Sequence, residues 1–383
     1  MSPVIETLAD LVRINSVNPE WGGPGEAAVA DYVKSFLRRA DIEFEVQDVL
    51  PGRPNVIARL RGEDSSRALV LEAHMDTVSV ADMTIAPFEP RIENGRMWGR
   101  GSCDTKAGLA AMLQSMATLK AGGVKPAVDI ILAAVVDEEH TYKGVTAFVE
   151  SLTGKPLPEA AVVAEPTELR VVRANKGAVR WRIITHGRAA HSSKPHLGAN
   201  AISAMATVIQ AIENDAPNLN IKPHPLVGPP TCSIGVIEGG RQVNFVPEHC
   251  AITLDRRLIP GETASVVLSY YDELLNPARK RHPDIKIETE APYLTDEAME
   301  TPADSMVVQA VSGVLTRMKL AAEPLGVPFG CDATKLSRAG IPSVIFGPGS
   351  IDQAHTADEF VDLNQVELAF DFYLKFLLEF GKP

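Results

Sequence analysis

Three short apolar runs in this chain each end on side chains that can bind a cation. "RALVLEAHMD" runs into His74 and Asp76, "VDIILAAVVDEEH" into Asp137, Glu138 and Glu139, and "EAAVVAEPT" into Glu165. Short Val/Ile/Leu runs without alternation are the pattern of strands buried on both faces of a parallel sheet. In open α/β sheets the functional groups gather beyond the carboxyl ends of such strands.

Around these runs the apolar spacing is helical. Ile5, Leu8, Leu11 and Val12 predict an amphipathic first helix, and "GEAAVADYVKSFLRRA" predicts a second. "KAGLAAMLQSMATLKAG" is a third helix, ended by Gly122 or Gly123. "EFEVQDV" and "PNVIARL" are strand-like. Strands alternating with helices predict an α/β fold: a mostly parallel sheet with helices on both faces.

Near Gly177 the pattern changes. "AVRWRIITH" alternates as a half-buried strand, "GANAISAMATVIQAIEND" is helical, and "TCSIGVIEGG" and "EHCAITLDRRL" are strands. "TASVVLSYYDELL" is helical and "DIKIETEAP" a last strand. The order β-α-β-β-α-β is that of a ferredoxin-like α+β unit. The α/β character then resumes with a helix at "ADSMVVQAVSGVLTRMK" and a strand at "PSVIFGP". Metal-type residues flank the middle unit, with Glu165 before it and His355 after it. If they share one site, 178–290 is inserted into a domain made of 1–177 and 291–383.

Composition narrows the class. With 383 residues, 45% of them hydrophobic and 22% charged, the chain fits a soluble globular protein of two domains. The net charge of -12 argues against a nucleic-acid partner. "IILAAVV", the longest apolar run, is far short of the ~20 residues of a membrane helix. The acids within the first helix are unlike a secretory signal. Cys103, Cys232, Cys250 and Cys331 form no C-x-x-C pair, which suggests reduced thiols of a cytoplasmic protein.

The chemistry lies at the strand ends. His74 and Asp76, two apart, can face the same way. An imidazole bound to metal usually donates its other N–H to a carboxylate, so either residue can be the ligand and the other its partner. Asp104 lies between a glycine turn and a helix, where a helix cap is the plainer reading. A nucleotide loop is excluded. Asp104 stands where a dinucleotide fingerprint needs its third glycine, and Lys106 lacks the preceding glycine of a P-loop. Three adjacent acids, Asp137 to Glu139, are costly near an apolar strand unless something positive neutralises them. With a metal present, one acid can bind it and another can take a proton from the attacking water. Glu165 precedes Pro166, and His355 lies in the loop "GPGSIDQAHTADEF". His191, in the inserted unit, can reach over a cleft as a hydrogen-bond donor. His140, His186, His196, His224, His249 and His282 read as structural or solvated.

Taken singly, each of these residues has a bland reading as a turn, cap or loop residue. Together, mixed imidazole and carboxylate donors suit zinc, with cobalt or manganese as alternatives; magnesium and calcium want oxygen only. One shared acid with two ligands on either side would make a two-metal centre with ions ~3.5–4 Å apart, suited to hydrolysis.

Seven segments carry a resemblance to a known family: "EAHMDTV", "GRGSCDTKAGLAAM", "DEEHTYKG", "AEPT", "NKGAVRWRIITHGRAAHSSKPHLGANAI", "DRRLIPGE" and "GPGSIDQAHTADEF". The chain resembles the co-catalytic zinc metallopeptidase and aminoacylase family, which includes acetylornithine deacetylase, succinyl-diaminopimelate desuccinylase, aminoacylase and the glutamate carboxypeptidases. The resemblance implies two divalent ions, most often zinc, bridged by Asp104. His74 and Glu165 would complete one site, and Glu139 and His355 the other. It implies that Glu138 is the general base and Asp76 the partner of His74. It also makes the inserted unit a lid and dimerisation domain, whose His191 serves the partner subunit's site. Asn244, Arg257 and the backbone around Gly347, Gly349 and Ser350 would hold the substrate carboxylate, with Arg256 a rival to Arg257. The implied activity is hydrolysis of an N-acyl amino acid, as in acetylornithine deacetylase, by a homodimer. The alternatives are a dinuclear dipeptidase or carboxypeptidase, a desuccinylase, and, more remotely, a metal-binding scaffold. "PFGCDATKL" departs from the deacetylase pattern and is similar to a broader group of deacylases and dipeptidases.

Overall fold

The computed structural model describes residues 1–382. The chain folds as two compact units. One comprises Met1–Arg173, Thr301–Leu325 and the chain from Cys331 on; the other comprises Ala174–Glu300 and Gly326–Gly330. The second thus contains the whole stretch 178–290.

The first unit is built on a sheet. Its strands run in the order Glu43–Leu50, Arg53–Leu60, Val128–Val135, Asp64–His74, Ala160–Val163 and Ser343–Ile345. The last four are mutually parallel; Arg53–Leu60 runs antiparallel to them, and Glu43–Leu50, its hairpin partner, runs in their direction again. Val128–Val135 is buried at every position, because helices cover both faces and no side of the strand meets water. The helix Lys106–Ala121 packs between Pro3–Val12 and Leu363–Glu379, and a second helix group, Lys143–Ser151 and Ala333–Arg338, packs elsewhere on the sheet. Apolar side chains of the first group and of the strands form one core, including Leu8, Leu71, Leu132, Phe346 and Phe372.

The second unit has its own core around Trp181, Met205, Leu254 and Tyr271. Its sheet order is Thr231–Gly239, His249–Leu258, Gly177–His186, Lys286–Thr289, all antiparallel. With helices Ala201–Leu219 and Ala264–Leu274 this is the β-α-β-β-α-β order read from the sequence. Asn200 and Thr263 start those helices by accepting the N–H of Ser203 and Val266. The edge strand Thr231–Gly239 leaves Val236 and Ile237 exposed. Among the described residues, no helix is long and apolar enough to cross a membrane.

Parallel register explains why the acids converge. His74 is level with Val135, and Glu72 with Val163. Two residues further, His74 and Glu165 stand at the same height. Asp137, Glu138 and Glu139 follow directly from the neighbouring strand. A ladder fixed by buried apolar side chains cannot slip by one residue without turning its core face outward.

Candidate metal centre

Two groups of three donors lie at these strand ends. His74, Asp104 and Glu165 form one; Asp104, Glu139 and His355 form the other. Within each, the donor atoms lie within 4.8 Å of one another. His74 Nε2 is 3.0 Å from Asp104 Oδ1, and His355 Nε2 is 3.2 Å from Asp104 Oδ2. Asp104 therefore presents one oxygen to each histidine. His355 Nε2 is also 3.2 Å from the Glu139 carboxylate.

Asp104 stands at the start of the helix Lys106–Ala121, after a turn in which Gly101 adopts φ +80°, a conformation that costs glycine little. The Thr105 hydroxyl donates to the Ala164 carbonyl at 2.9 Å, tying this turn to the segment that carries Glu165. Lys106, by contrast, turns away. Its amine is buried, donates to the Ile14 carbonyl at 2.8 Å, and is pushed down to about 7 by burial.

Asp76 does more than face His74. Its Oδ1 lies 3.6 Å from His74 Nδ1, and its backbone carbonyl lies closer, at 3.1 Å. The carboxylate also accepts the N–H of Glu138 at 3.1 Å and of Glu139 at 3.2 Å, and the Asn18 amide at 2.8 Å. Burial pushes Asp76 up, but the His74 imidazole and these donors carry it below the ordinary aspartate range. It thus orients the imidazole and the two acids together.

Asp137 is held on the far side of that turn, at φ +67°. It accepts from Arg53 at 2.9 Å, from Asn18 at 3.1 Å and from the Thr141 hydroxyl, and its N–H donates to Glu26. Arg53 makes a two-pronged pair with Glu26. This turns Glu138 and Glu139 toward the donor groups while Asp137 faces away.

The electrostatics are those of a site short of positive charge. Burial pushes Glu138 and Glu165 well up, and the neighbouring acids add to it. Glu139 rises for the same reason, through burial and Asp104. Against burial, the two imidazoles hold Asp104 far below the usual range, while Asp104 and Glu139 raise His355 to about 11. Beneath the centre, Glu72 and Asp332 are both buried; burial pushes Glu72 well up and Asp332 to about 7, and the two acids face each other.

Gly347 and Gly349 were expected to offer amides to a substrate carboxylate. Their N–H groups instead donate to Thr167 Oγ1 at 3.0 Å and Gln365 Oε1 at 2.8 Å. A side chain at 347 would meet the Glu165 carbonyl at 2.6 Å, so that glycine serves close packing. Ser350 pairs with Thr167 and accepts from the Cys103 thiol through its carbonyl. Between the two arginines, Arg256 is buried and bound to Glu262 at 2.7 Å, whereas Arg257 is a third exposed beside Asp255. Within the second unit, His191 pairs with Phe245 next to Asn244, which brings two of the expected substrate residues together.

Sequence reasoning missed Asn18, Glu26, Arg53, Glu72, Asp332 and Glu359. Each is polar and buried, or nearly so, yet none sits in a local pattern that marks it. Only Glu359, four residues after His355, offered a hint.

Comparison with known proteins adds the relationship. A family model described as peptidase family M20/M25/M40 matches residues 70–379. An acetylornithine deacetylase of Myxococcus xanthus is 30% identical over 94% of this chain and 93% of its own length. A probable succinyl-diaminopimelate desuccinylase of Staphylococcus epidermidis is 25% identical over 93% of this chain and 92% of its own. In fold, the aminopeptidase PepT of Bacillus cereus superposes with a TM-score of 0.81, covering 99% of this chain and 98% of that one at 21% identity.

Proposed function

We propose that this chain, which belongs to peptidase family M20/M25/M40, is a two-metal deacylase that cleaves the amide of an N-acyl amino acid. That it is a hydrolase of amide or peptide bonds follows from the family. One observation carries the finer reading: two donor triads share Asp104, and Glu138 is left over beside them. Each triad has one imidazole and two carboxylates, a donor set that fits zinc and also accepts cobalt or manganese. His74, Asp104 and Glu165 would hold one ion, and Asp104, Glu139 and His355 the other. The ions would supply Lewis acidity to the scissile carbonyl and to the attacking water.

The chain's own residues do the rest. Glu138 takes the proton from the water and hands it to the leaving nitrogen. Burial raises its affinity for that proton, which suits the second role. Asp76 holds Glu138 and Glu139 by adjacent N–H groups, so that neighbouring carboxylates keep different tasks. His191 Nδ1 accepts the Ser193 N–H at 3.1 Å, so a neutral ring carries its proton on Nε2. The ring is exposed on its unit and can donate that proton to the tetrahedral oxyanion. Arg257 and Asn244 would hold the substrate carboxylate.

The unit around 178–290 is assigned as lid and dimerisation domain. An edge strand with exposed Val236 and Ile237 supports a homodimer, since a bare apolar edge invites a second copy. Four free thiols support a cytoplasmic setting. The similarity to a named desuccinylase keeps N-succinyl substrates as the second reading.

The test is a panel of N-acetyl and N-succinyl amino acids and unblocked dipeptides, run on zinc-reconstituted protein with a chelated control. Hydrolysis of acylated amino acids is expected. Cleavage of unblocked dipeptides alone would replace the deacylase reading with a dipeptidase.

Two further results are expected. Removing His191 should lower turnover and leave metal content unchanged, and mixing His191→Ala with Glu138→Gln protein should restore some activity once subunits exchange. An unchanged rate in the His191 variant would take it out of the site. Second, His355 holds its proton up to about 11 in the metal-free chain, so an ion entering Asp104–Glu139–His355 must displace it. Affinity should therefore rise with pH across neutrality, by about tenfold per unit for one proton released. Competition titrations at several pH values that give a flat affinity would rule this out.

A further inference from the structure

We propose that Glu359 is a positioning residue that sets the Asp104–Glu139–His355 metal position, and that loss of its carboxylate costs that ion and not its neighbour. The inference rests on the two-metal reading above.

Glu359 is fully buried and its carboxylate is saturated with donors. Oε1 accepts the N–H of Cys103 at 2.8 Å and of Asp104 at 3.1 Å. Oε2 accepts the N–H of Gly101 at 3.0 Å and Arg100 Nη1 at 2.8 Å. The Glu359 carbonyl takes the Gly99 N–H at 3.0 Å. Arg100 extends the clamp, with Nη2 donating to the carbonyls of Ser79 at 2.9 Å and Thr356 at 3.3 Å. The loop that carries Asp104 and the segment that carries His355 are thus laced together, although they lie about 250 residues apart in sequence.

The two metal positions depend on this clamp unequally. His74 and Glu165 sit at the ends of sheet strands, and the Thr105–Ala164 hydrogen bond joins Asp104 to that side without Glu359. His355 lies on an exposed loop, at φ +61°, with no strand to place it. Its distance to Asp104 is set by the Arg100–Glu359 lacing. A glutamine at 359 keeps the shape but turns one acceptor oxygen into a donor. It then faces N–H groups that have lost their acceptor, and Arg100 loses its counter-charge.

The experiment titrates metal-free wild type, Glu359→Gln and Arg100→Lys with Zn²⁺ by calorimetry and with Co²⁺ by visible absorption, with thermal melting alongside. Wild type should take up two ions. Glu359→Gln should bind the first with unchanged affinity and the second about 10–100-fold more weakly, the range for groups that orient metal ligands. Its cobalt spectrum should lose only the second-ion component; melting should fall, because Arg100 is left without its counter-charge, with the protein still folded at the titration temperature. Arg100→Lys, which keeps a charge beside Glu359 but drops the carbonyl bonds, should weaken the same ion less. Two ions bound at wild-type affinity in both variants, or equal weakening of both ions, overturns the proposal and leaves the two-metal reading standing. A wild type that binds fewer than two ions refutes that reading and the proposal with it.

Discussion

Replacing Glu138 by glutamine is expected to lower turnover on the order of 10²-fold or more while metal content stays as in wild type. The reason is positional. Glu138 belongs to neither donor triad, yet it is buried beside both and is held through its own N–H by Asp76. Glutamine has almost the same shape and cannot accept the proton of the attacking water. It also removes a buried acid from a site with an excess of them, so the fold should not suffer. Turnover of N-acyl amino acids together with metal analysis of the same sample decides it. Full activity in this variant would end the mechanism proposed here, and loss of metal along with activity would make Glu138 a ligand instead.

Replacing Asp104 by asparagine should remove both ions and bring activity down to that of chelated protein. Asp104 is the one residue common to both triads, with Oδ1 toward His74 and Oδ2 toward His355. An amide offers a single neutral oxygen, whereas two cations a few ångströms apart need a bridging negative charge. The variant should show no two-ion binding in a zinc titration. In the metal-free chain Asp104 raises the proton affinity of both imidazoles against the effect of burial, so its loss should lower the affinity of His74 and His355 for their protons. An asparagine variant that binds two ions and turns over normally would show that the triads are not the metal positions.

Much of the site was readable from the chain because its residues obey local rules. Residues 130–135 and Ala160–Val163 are apolar throughout, so they are recognisable as buried strands, and acids just beyond such strands are conspicuous. For Asp104 the glycines before it and the helix after it pointed first to a helix cap, and the resemblance implied the bridging role. The clamp residues were not. Asn18 lies 58 residues from Asp76, and Arg53 lies 84 from Asp137. A single asparagine or arginine in a polar stretch gives no periodic signal, and only folding shows that it is buried against a carboxylate. For Gly347 and Gly349 the resemblance implied a substrate role, and only the fold shows that their amides donate to Thr167 and Gln365.

The sequence by itself determined the elements and their order, the β-α-β-β-α-β stretch inside an α/β chain, and the residue types able to hold cations, because strand and helix periodicity and the cost of burying charge act within a few residues. Tertiary structure alone decided which oxygen of Asp104 meets which imidazole, that Asp76 holds both glutamates, that Arg256 is committed to Glu262, and that Glu359 fastens the loop of Asp104. Those are contacts between segments far apart in the chain. They follow from parallel register and close packing, and neither leaves a mark on the residues next door.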